Sequence, residues 1–266
     1  MDAAAGLDDV RGFQGRNWIA DDQNDSVDDQ ESNKQAGRYV RQSIPLFMSD
    51  FCHFNLQSQF PWLLPKKTAI MPQQAKGRPT VKRDVASFDV TIFQDYQEEV
   101  VLGTEGGLDK TQRGGFKFVP LPVWHGDDLI SHGFAFSLHP GPSSSSKSLN
   151  VVYLSDISRM VPETLEFIQK KLPPTDILVV DSLTWDKPNP VHFSMEQAVE
   201  MSRILQPRMR TYLIGMGCDN FFHNDEMNAY LRETYGNGNG HTNNNDGVIV
   251  MAHDGLVVEL PEDIDK

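Results

Sequence analysis

Three apolar runs in this chain each end in a side chain that can bind a metal ion. In chain order these side chains are His125, Asp156 and Asp181. Such runs are typical of buried strands, and open α/β sheets place their sites beyond the carboxyl ends of the strands. An ionised carboxylate is a pure acceptor and an imidazole nitrogen is a common metal ligand. The residue types and their positions therefore indicate a divalent metal site at one edge of a sheet.

Each candidate residue also has an ordinary structural interpretation. His125 could bond a backbone carbonyl at the end of its strand, and Asp156 could cap the turn that follows, as aspartate often does. Asp181 could orient a neighbouring loop or a ligand histidine. His192 could simply start the helix that follows it, and Cys218 could be a small buried hydrophobe. The residues alone leave these alternatives open.

The elements that must position these residues alternate between strand and helix along the second half of the chain. Apolar runs with period two, or without interruption, predict strands. Ser194 and Gln197 predict a capping box, Pro162 suits the first turn of another helix, and Ser49 is expected to cap an earlier one. The predicted strands are 43–48, 82–93, 116–125, 133–138, 149–155, 177–180, 211–216, 248–251 and 256–260. The last helix is predicted over 224–235, and an Asp-Gly turn joins the last two strands.

This order of elements predicts an α/β fold and a single domain over 1–266. Four polar stretches interrupt it, and we interpret them as surface insertions. They lie near 21–37, 103–115, 140–147 and 236–246.

Charge and hydropathy exclude several classes of protein. The net charge of −13 disfavours sequence-independent binding to nucleic acid, which depends on Lys and Arg. No apolar run approaches ~18 residues, so no membrane-spanning helix is predicted. The first residues lack the basic and apolar regions of a secretory signal. The chain has 2 cysteines, which favours a reducing compartment and a cytoplasmic location.

Several segments, taken in order, resemble the metallo-β-lactamase superfamily. The resemblance is to the branch that contains the phosphonate-operon cyclic phosphodiesterase and the long-form tRNA 3′-processing nucleases. The matching segments are 122–126 (PVWHG), 153–156 (YLSD), 179–183 (VVDSL), 191–198 (VHFSMEQA), 213–216 (LIGM) and 252–256 (AHDGL).

The resemblance implies an αββα sandwich, the metallo-β-lactamase fold, that lacks its first strands. It implies two metal ions, zinc or manganese, with His125 on one ion, Asp2 on the other and Asp156 bridging them. It further implies that a metal-bridging hydroxide attacks phosphorus. His192 would act as the general acid near the leaving oxygen, or would hold the phosphoryl group.

Two parts of the superfamily's metal-binding pattern are missing from the sequence. The hallmark His-x-His-x-Asp has a counterpart for its aspartate alone, Asp2, so the chain is expected to be truncated at its N-terminus. The last histidine ligand has no counterpart within 215–218. Cys218 falls where some relatives have that histidine, and a thiolate is a competent zinc ligand. His223 is the alternative, and an alignment of the histidine with Gly215 would mean that the ligand is lost.

The resemblance predicts a metal-dependent hydrolase, a phosphodiesterase above all. The implied substrates are a small phosphodiester, a cyclic phosphate or an RNA end, with no membrane partner, and a homodimer is compatible with the branch. One alternative is a truncated, catalytically inactive remnant that acts as a binding protein. A further alternative is a thioester hydrolase of the same superfamily.

Overall fold

The structure of the chain is a computed structural model. It describes residues 14, 16–20, 37–41, 43–64, 86–101, 116–138, 148–217, 221–236 and 248–258. Internal contacts divide the chain into two compact units, Met1–Phe93 and Gln94–Lys266. The single domain over 1–266 stays a prediction.

The described residues of the first unit form two small sheets and one helix. Strands β1 (Arg16–Ala20) and β2 (Gly37–Arg41) pair antiparallel, β3 (Ile44–Met48) and β4 (Phe88–Ile92) pair parallel, and helix α1 spans Asp50–Gln59. Ser49 caps α1 as predicted, because its hydroxyl accepts a hydrogen bond from the backbone N–H of Cys52 at 3.2 Å. A small apolar core packs α1 and the residues after it against the β3–β4 sheet; its buried members are Met48, Leu56, Leu63, Leu64 and Ala86.

The second unit is built on a mixed seven-stranded sheet. Its strands are β5 (Glu99–Val101), β6 (Phe116–His125), β7 (Leu129–Leu138), β8 (Leu149–Leu154), β9 (Ile177–Asp181), β10 (Arg210–Ile214) and β11 (Val248–Met251). They lie side by side in the order β11-β10-β9-β8-β7-β6-β5. The pairs from β8 to β11 are parallel and those from β5 to β8 are antiparallel. The carboxyl ends of β8, β9 and β10 therefore meet at one edge of the sheet.

One face of this sheet packs against the three helices that the structure describes in this unit. These are α2 (Pro162–Lys171), α3 (Met195–Leu205) and α4 (Asn224–Tyr235). Alternate residues of each strand point to this face, which follows from the two-residue period of a strand. The most deeply buried strand residues there are Leu121, Val123, Val152, Leu154, Leu178, Val180 and Leu213, each at most 2% exposed.

The opposite face of the sheet is also apolar. Leu149, Val151, Ile177 and Tyr212 form a second buried cluster on it. Strands β8 and β9 are thus buried on both faces, which is why their sequences are almost uninterrupted apolar runs.

The start of α3 is held by reciprocal hydrogen bonds. The Ser194 hydroxyl accepts from the backbone N–H of Gln197 at 3.4 Å, and the Gln197 side chain accepts from the backbone N–H of Ser194 at 2.9 Å. The predicted capping box is therefore present. It fixes the point at which the chain leaves the loop containing His192 and enters the helix.

The α/β class and most elements of the second unit agree with the sequence. The last helix has the predicted bounds, 224–235, whereas β7 begins four residues earlier than expected, at Leu129. The predicted hairpin between 248–251 and 256–260 is wrong over the described residues. Residues 256–258 form no strand, and β11 pairs parallel with β10. His253 and Leu256 do close a turn, with a backbone hydrogen bond of 3.1 Å. The described parts of the chain contain no helix that is both long and apolar enough to cross a membrane.

We expect Ser194→Ala to lower the free energy of unfolding by about 1 kcal/mol, since it leaves helix donors without partners. Urea unfolding of the purified chain measures this loss. Glu200→Ala on the same helix is the control; its ion pair with Arg203 is exposed, so the change should stay below about 0.5 kcal/mol. Equal losses in the two variants would contradict a stabilising role of the capping box.

Candidate metal centre

The structure brings three of the predicted site residues together. His125 ends β6, Asp156 follows β8 by two residues, and His192 precedes α3. One possible ligand atom from each lies within 4.8 Å of the others. Two imidazoles and a carboxylate at this separation are a donor set that suits a divalent transition metal.

The buried nitrogen of His125 fits a metal ligand. Its Nδ1 atom is inaccessible to solvent and has no hydrogen-bond partner among the described residues. A buried polar atom without a partner costs free energy, so such an atom in a folded protein calls for an explanation. The ring lies edge to face against that of His192, with 5.1 Å between the centroids. A cation bound between these residues would satisfy the nitrogen.

Asp156 sits in a strained turn that directs its carboxylate outward. Its φ is +52°, a left-handed conformation that aspartate adopts more readily than most residues. The side chain is 59% exposed. The loop behind it is tied to the end of β6, because the Ser158 hydroxyl accepts from the backbone N–H of Gly126 at 2.9 Å and the Ser158 N–H donates to the Trp124 carbonyl at 2.7 Å.

His192 is held from two sides. Its Nδ1 lies 2.5 Å from Oδ2 of Asp181 and 3.9 Å from Oδ1 of Asp156. The Asn189 side chain accepts from the backbone N–H groups of Val191 and His192, at 2.9 and 3.1 Å. When Asp181 is ionised it can only accept, so Nδ1 carries the proton and Nε2 is the nitrogen left for a ligand or substrate.

Asp181 is the buried charge of the site. Its side chain is 6% exposed, and burial raises the pKa of its carboxyl. The hydrogen bond from His192 opposes that shift, and the neighbouring charge of Asp156 adds to it. The charge of Asp156 makes ionised Asp181 less favourable, and a cation bound nearby would offset this effect.

Gly215 leaves the space that Asp181 occupies. Its φ is +73°, and a Cβ atom there would lie 2.6 Å from Oδ1 of Asp181. Any larger residue would therefore meet both backbone strain and the carboxylate. The resemblance left Gly215 as one possible position of the missing histidine ligand, whereas the structure makes it a packing position beside Asp181.

Two of the predicted metal ligands, Asp2 and Cys218, lie outside the described residues. His223, the alternative to Cys218, is exposed at the N-cap of α4 and is not a member of the three-residue group. Asn189 and Ser158, which position His192 and Asp156, were not among the residues predicted from the sequence. An Asn three residues before a histidine at a helix start is a signal that could have indicated the first of these.

The fold is that of the metallo-β-lactamase class, as the sequence predicted. A diphosphatase described as belonging to the PhnP family is similar in structure, with a TM-score of 0.51 and 20% identity, over 83% of this chain and 60% of that one. This chain therefore spans less than two thirds of that protein's length.

Two further solved structures match less completely. An isothiocyanate hydrolase from Delia radicum gut bacteria has a TM-score of 0.41 and 14% identity, over 65% of this chain and 60% of that one. A long-form RNase Z from yeast has a TM-score of 0.31 and 14% identity, over 38% of this chain and 13% of that one. No family model and no curated protein matches the sequence.

Gly215→Ala should cost at least about 1 kcal/mol more folding free energy than Gly255→Ala. Both glycines have a positive φ, +73° and +78°, so both variants carry backbone strain. A Cβ atom at Gly255 has nothing within 4 Å, whereas one at Gly215 meets the buried carboxylate of Asp181. Urea unfolding of the two variants checks this, and equal losses would contradict the close packing described above.

Proposed function

We propose that this protein is a metal-dependent hydrolase that cleaves phosphodiesters. The observation that carries the proposal is the group formed by His125, Asp156 and His192, whose possible ligand atoms lie within 4.8 Å of one another. His125 and Asp156 would hold the metal, with zinc or manganese suited to imidazole and carboxylate donors. A bound divalent ion would act as a Lewis acid and would lower the pKa of a water ligand.

In this proposal His192 acts on the substrate rather than on the metal. Asp181 accepts the Nδ1 proton of His192 and thereby leaves Nε2 as the nitrogen that can act on the substrate. Nε2 can then donate a proton to the leaving oxygen or a hydrogen bond to the phosphoryl group. Asp181 is thus a positioning residue, since it acts through His192.

The phosphodiester class is supported by two further features. His192 lies two residues before the N-cap of α3, where the backbone donors and the helix dipole favour an anion. A structurally similar solved protein is described as a diphosphatase, and we extend the phosphate chemistry in that description to this chain as part of the proposal. The substrate would be a small phosphodiester, a cyclic phosphate or an RNA end. The homodimer and the cytoplasmic location stay predictions.

A second candidate function is that of a metal-poor binding protein. This candidate is favoured by the small number of possible metal ligands. Among the described residues, no His, Cys, Asp or Glu besides His125, Asp156 and His192 belongs to the group. Metal content separates the two candidates. The hydrolase needs a tightly held ion for turnover, whereas the binding protein would hold less than one equivalent of zinc.

The first test is hydrolysis of bis(p-nitrophenyl) phosphate by the purified chain with added Zn²⁺ or Mn²⁺. We expect metal-dependent release of p-nitrophenol, and we expect His125→Ala to abolish both metal binding and turnover. His53→Ala on α1 is the control and should change neither. Unchanged metal content in His125→Ala, measured by mass spectrometry of the bound metal, would overturn the assignment of the site. Less than one equivalent of bound metal, together with no turnover, would favour the binding protein.

We expect His192→Ala to lower turnover by about 10²- to 10⁴-fold with metal content unchanged, the usual contribution of a general acid. Turnover and bound metal are measured on the same preparation. Loss of metal in this variant would make His192 a ligand instead of the acid.

A further inference from the structure

A cavity of about 310 Å³ lies on the helix-facing side of the seven-stranded sheet, near the amino end of β8. Its apolar floor consists of Val119, Ala135 and Val152, which lie side by side in β6, β7 and β8. Leu172, which follows α2, also lines the cavity. Because Ala135 is the smallest and the middle residue of the floor, it leaves room above the sheet. The volume falls at the lower end of the range of small-molecule sites.

Other lining residues make one part of this cavity polar. Lys117 and Asn150 stand two residues before Val119 and Val152, and alternate residues of a strand point to the same face. Thr175 lines the cavity as well. It is only 6% exposed, and its hydroxyl makes no hydrogen bond within the described part of the chain. A hydroxyl without a partner on a buried residue calls for an explanation, and a ligand in the cavity would supply one.

The polar part of the cavity contains one cation and one anion. Nζ of Lys117 lies 2.8 Å from Oε1 of Glu98, and both residues line the cavity. Their side chains are 52% and 54% exposed. An ion pair as exposed as this contributes little to stability, so a ligand that brings the two opposite charges can exchange with it at small cost. The cavity therefore complements a small molecule that has both charges and an apolar group.

We propose that this cavity binds an apolar α-amino acid of about the size of leucine. The carboxylate of the amino acid accepts from Lys117 and from the Thr175 hydroxyl, and its ammonium group donates to Glu98. The apolar side chain lies on the floor around Ala135, where a polar side chain would lose its hydration without gaining a partner. A ligand with a single charge would leave either Lys117 or Glu98 without a partner.

The cavity is separate from the metal centre. Asn150 and Leu154 lie near opposite ends of β8, about 13 Å apart, and the metal centre lies beyond Leu154. Binding of the amino acid therefore does not depend on the proposed hydrolase, and it is measured without any turnover.

Titration calorimetry of the full chain with L-leucine tests the site. We expect saturable binding to the wild type, and we expect Lys117→Gln and Glu98→Gln each to weaken it about tenfold, the usual effect of losing one hydrogen bond between charged groups. Lys170→Gln is the matched control. Lys170 forms an ion pair of 2.9 Å with Glu166 at 66% and 64% exposure, and neither residue lines the cavity. This variant should bind leucine like the wild type.

Two further ligands test the chemical class. 4-Methylpentanoate is leucine without its amino group, and it should bind the wild type about tenfold more weakly. In Glu98→Gln the two ligands should bind alike, because the partner of the ammonium group is gone. Glycine should bind at least about tenfold more weakly than leucine, because it has no side chain to bury on the floor.

Ala135→Leu should abolish the binding of leucine, because the larger side chain fills the floor. If this variant does not fold, the two glutamine variants decide, since Lys117 and Glu98 are half exposed and their replacement should leave the melting temperature unchanged. No binding of leucine to the wild type, or unchanged binding in both glutamine variants, would overturn the site. Equal affinity of the wild type for leucine and 4-methylpentanoate would overturn the amino-acid class.

Discussion

The parallel pairing of β8 with β9 is the constraint on which the rest of the site depends. Leu154 lies opposite Val180 in this register, so the next residues of both strands leave the sheet at the same edge. That edge receives Asp156 and Asp181, one exposed and the other buried. Parallel strands require crossover connections, and α2 supplies the connection between these two. The metal centre is therefore a product of the sheet topology.

The site concentrates features that are unfavourable for folding. Asp156 and Gly215 have positive φ, Asp181 is a buried carboxylate whose pKa is raised by burial, and Nδ1 of His125 has no partner. The apolar core on the helix-facing side of the sheet holds these groups in place, since its strands and helices fix the segments that carry His125, Asp156 and Asp181. Strain and unsatisfied groups that persist in a well-packed surrounding are characteristic of functional positions. A bound cation would offset both the carboxylate repulsion and the unpartnered nitrogen.

Local patterns in the sequence predicted the elements of the second unit well where the apolar residues followed a single spacing, that of a helix or that of a strand. The helix 224–235 and the capping box at Ser194 depend on contacts within a few residues, so the sequence contains the whole signal. The last hairpin was predicted from an Asp-Gly turn, which does form, but the pairing partner of β11 is β10. A turn signal specifies only the backbone of the turn, whereas strand pairing is decided by which sheet edge is free.

The sequence by itself determined the residue types that could bind a metal, their positions at strand ends, and the fold class that such an order of elements forms. The sequence could not decide which side chain each of these residues contacts in the folded protein. Asp181 was expected to orient either a loop or a histidine, and the tertiary structure places it 2.5 Å from His192. It also makes Gly215 a packing position and brings Trp185 next to Phe222, residues that are 37 positions apart (222 − 185). The physical reason is that these contacts join segments distant in the chain, and only the register and packing of the sheet set their distances.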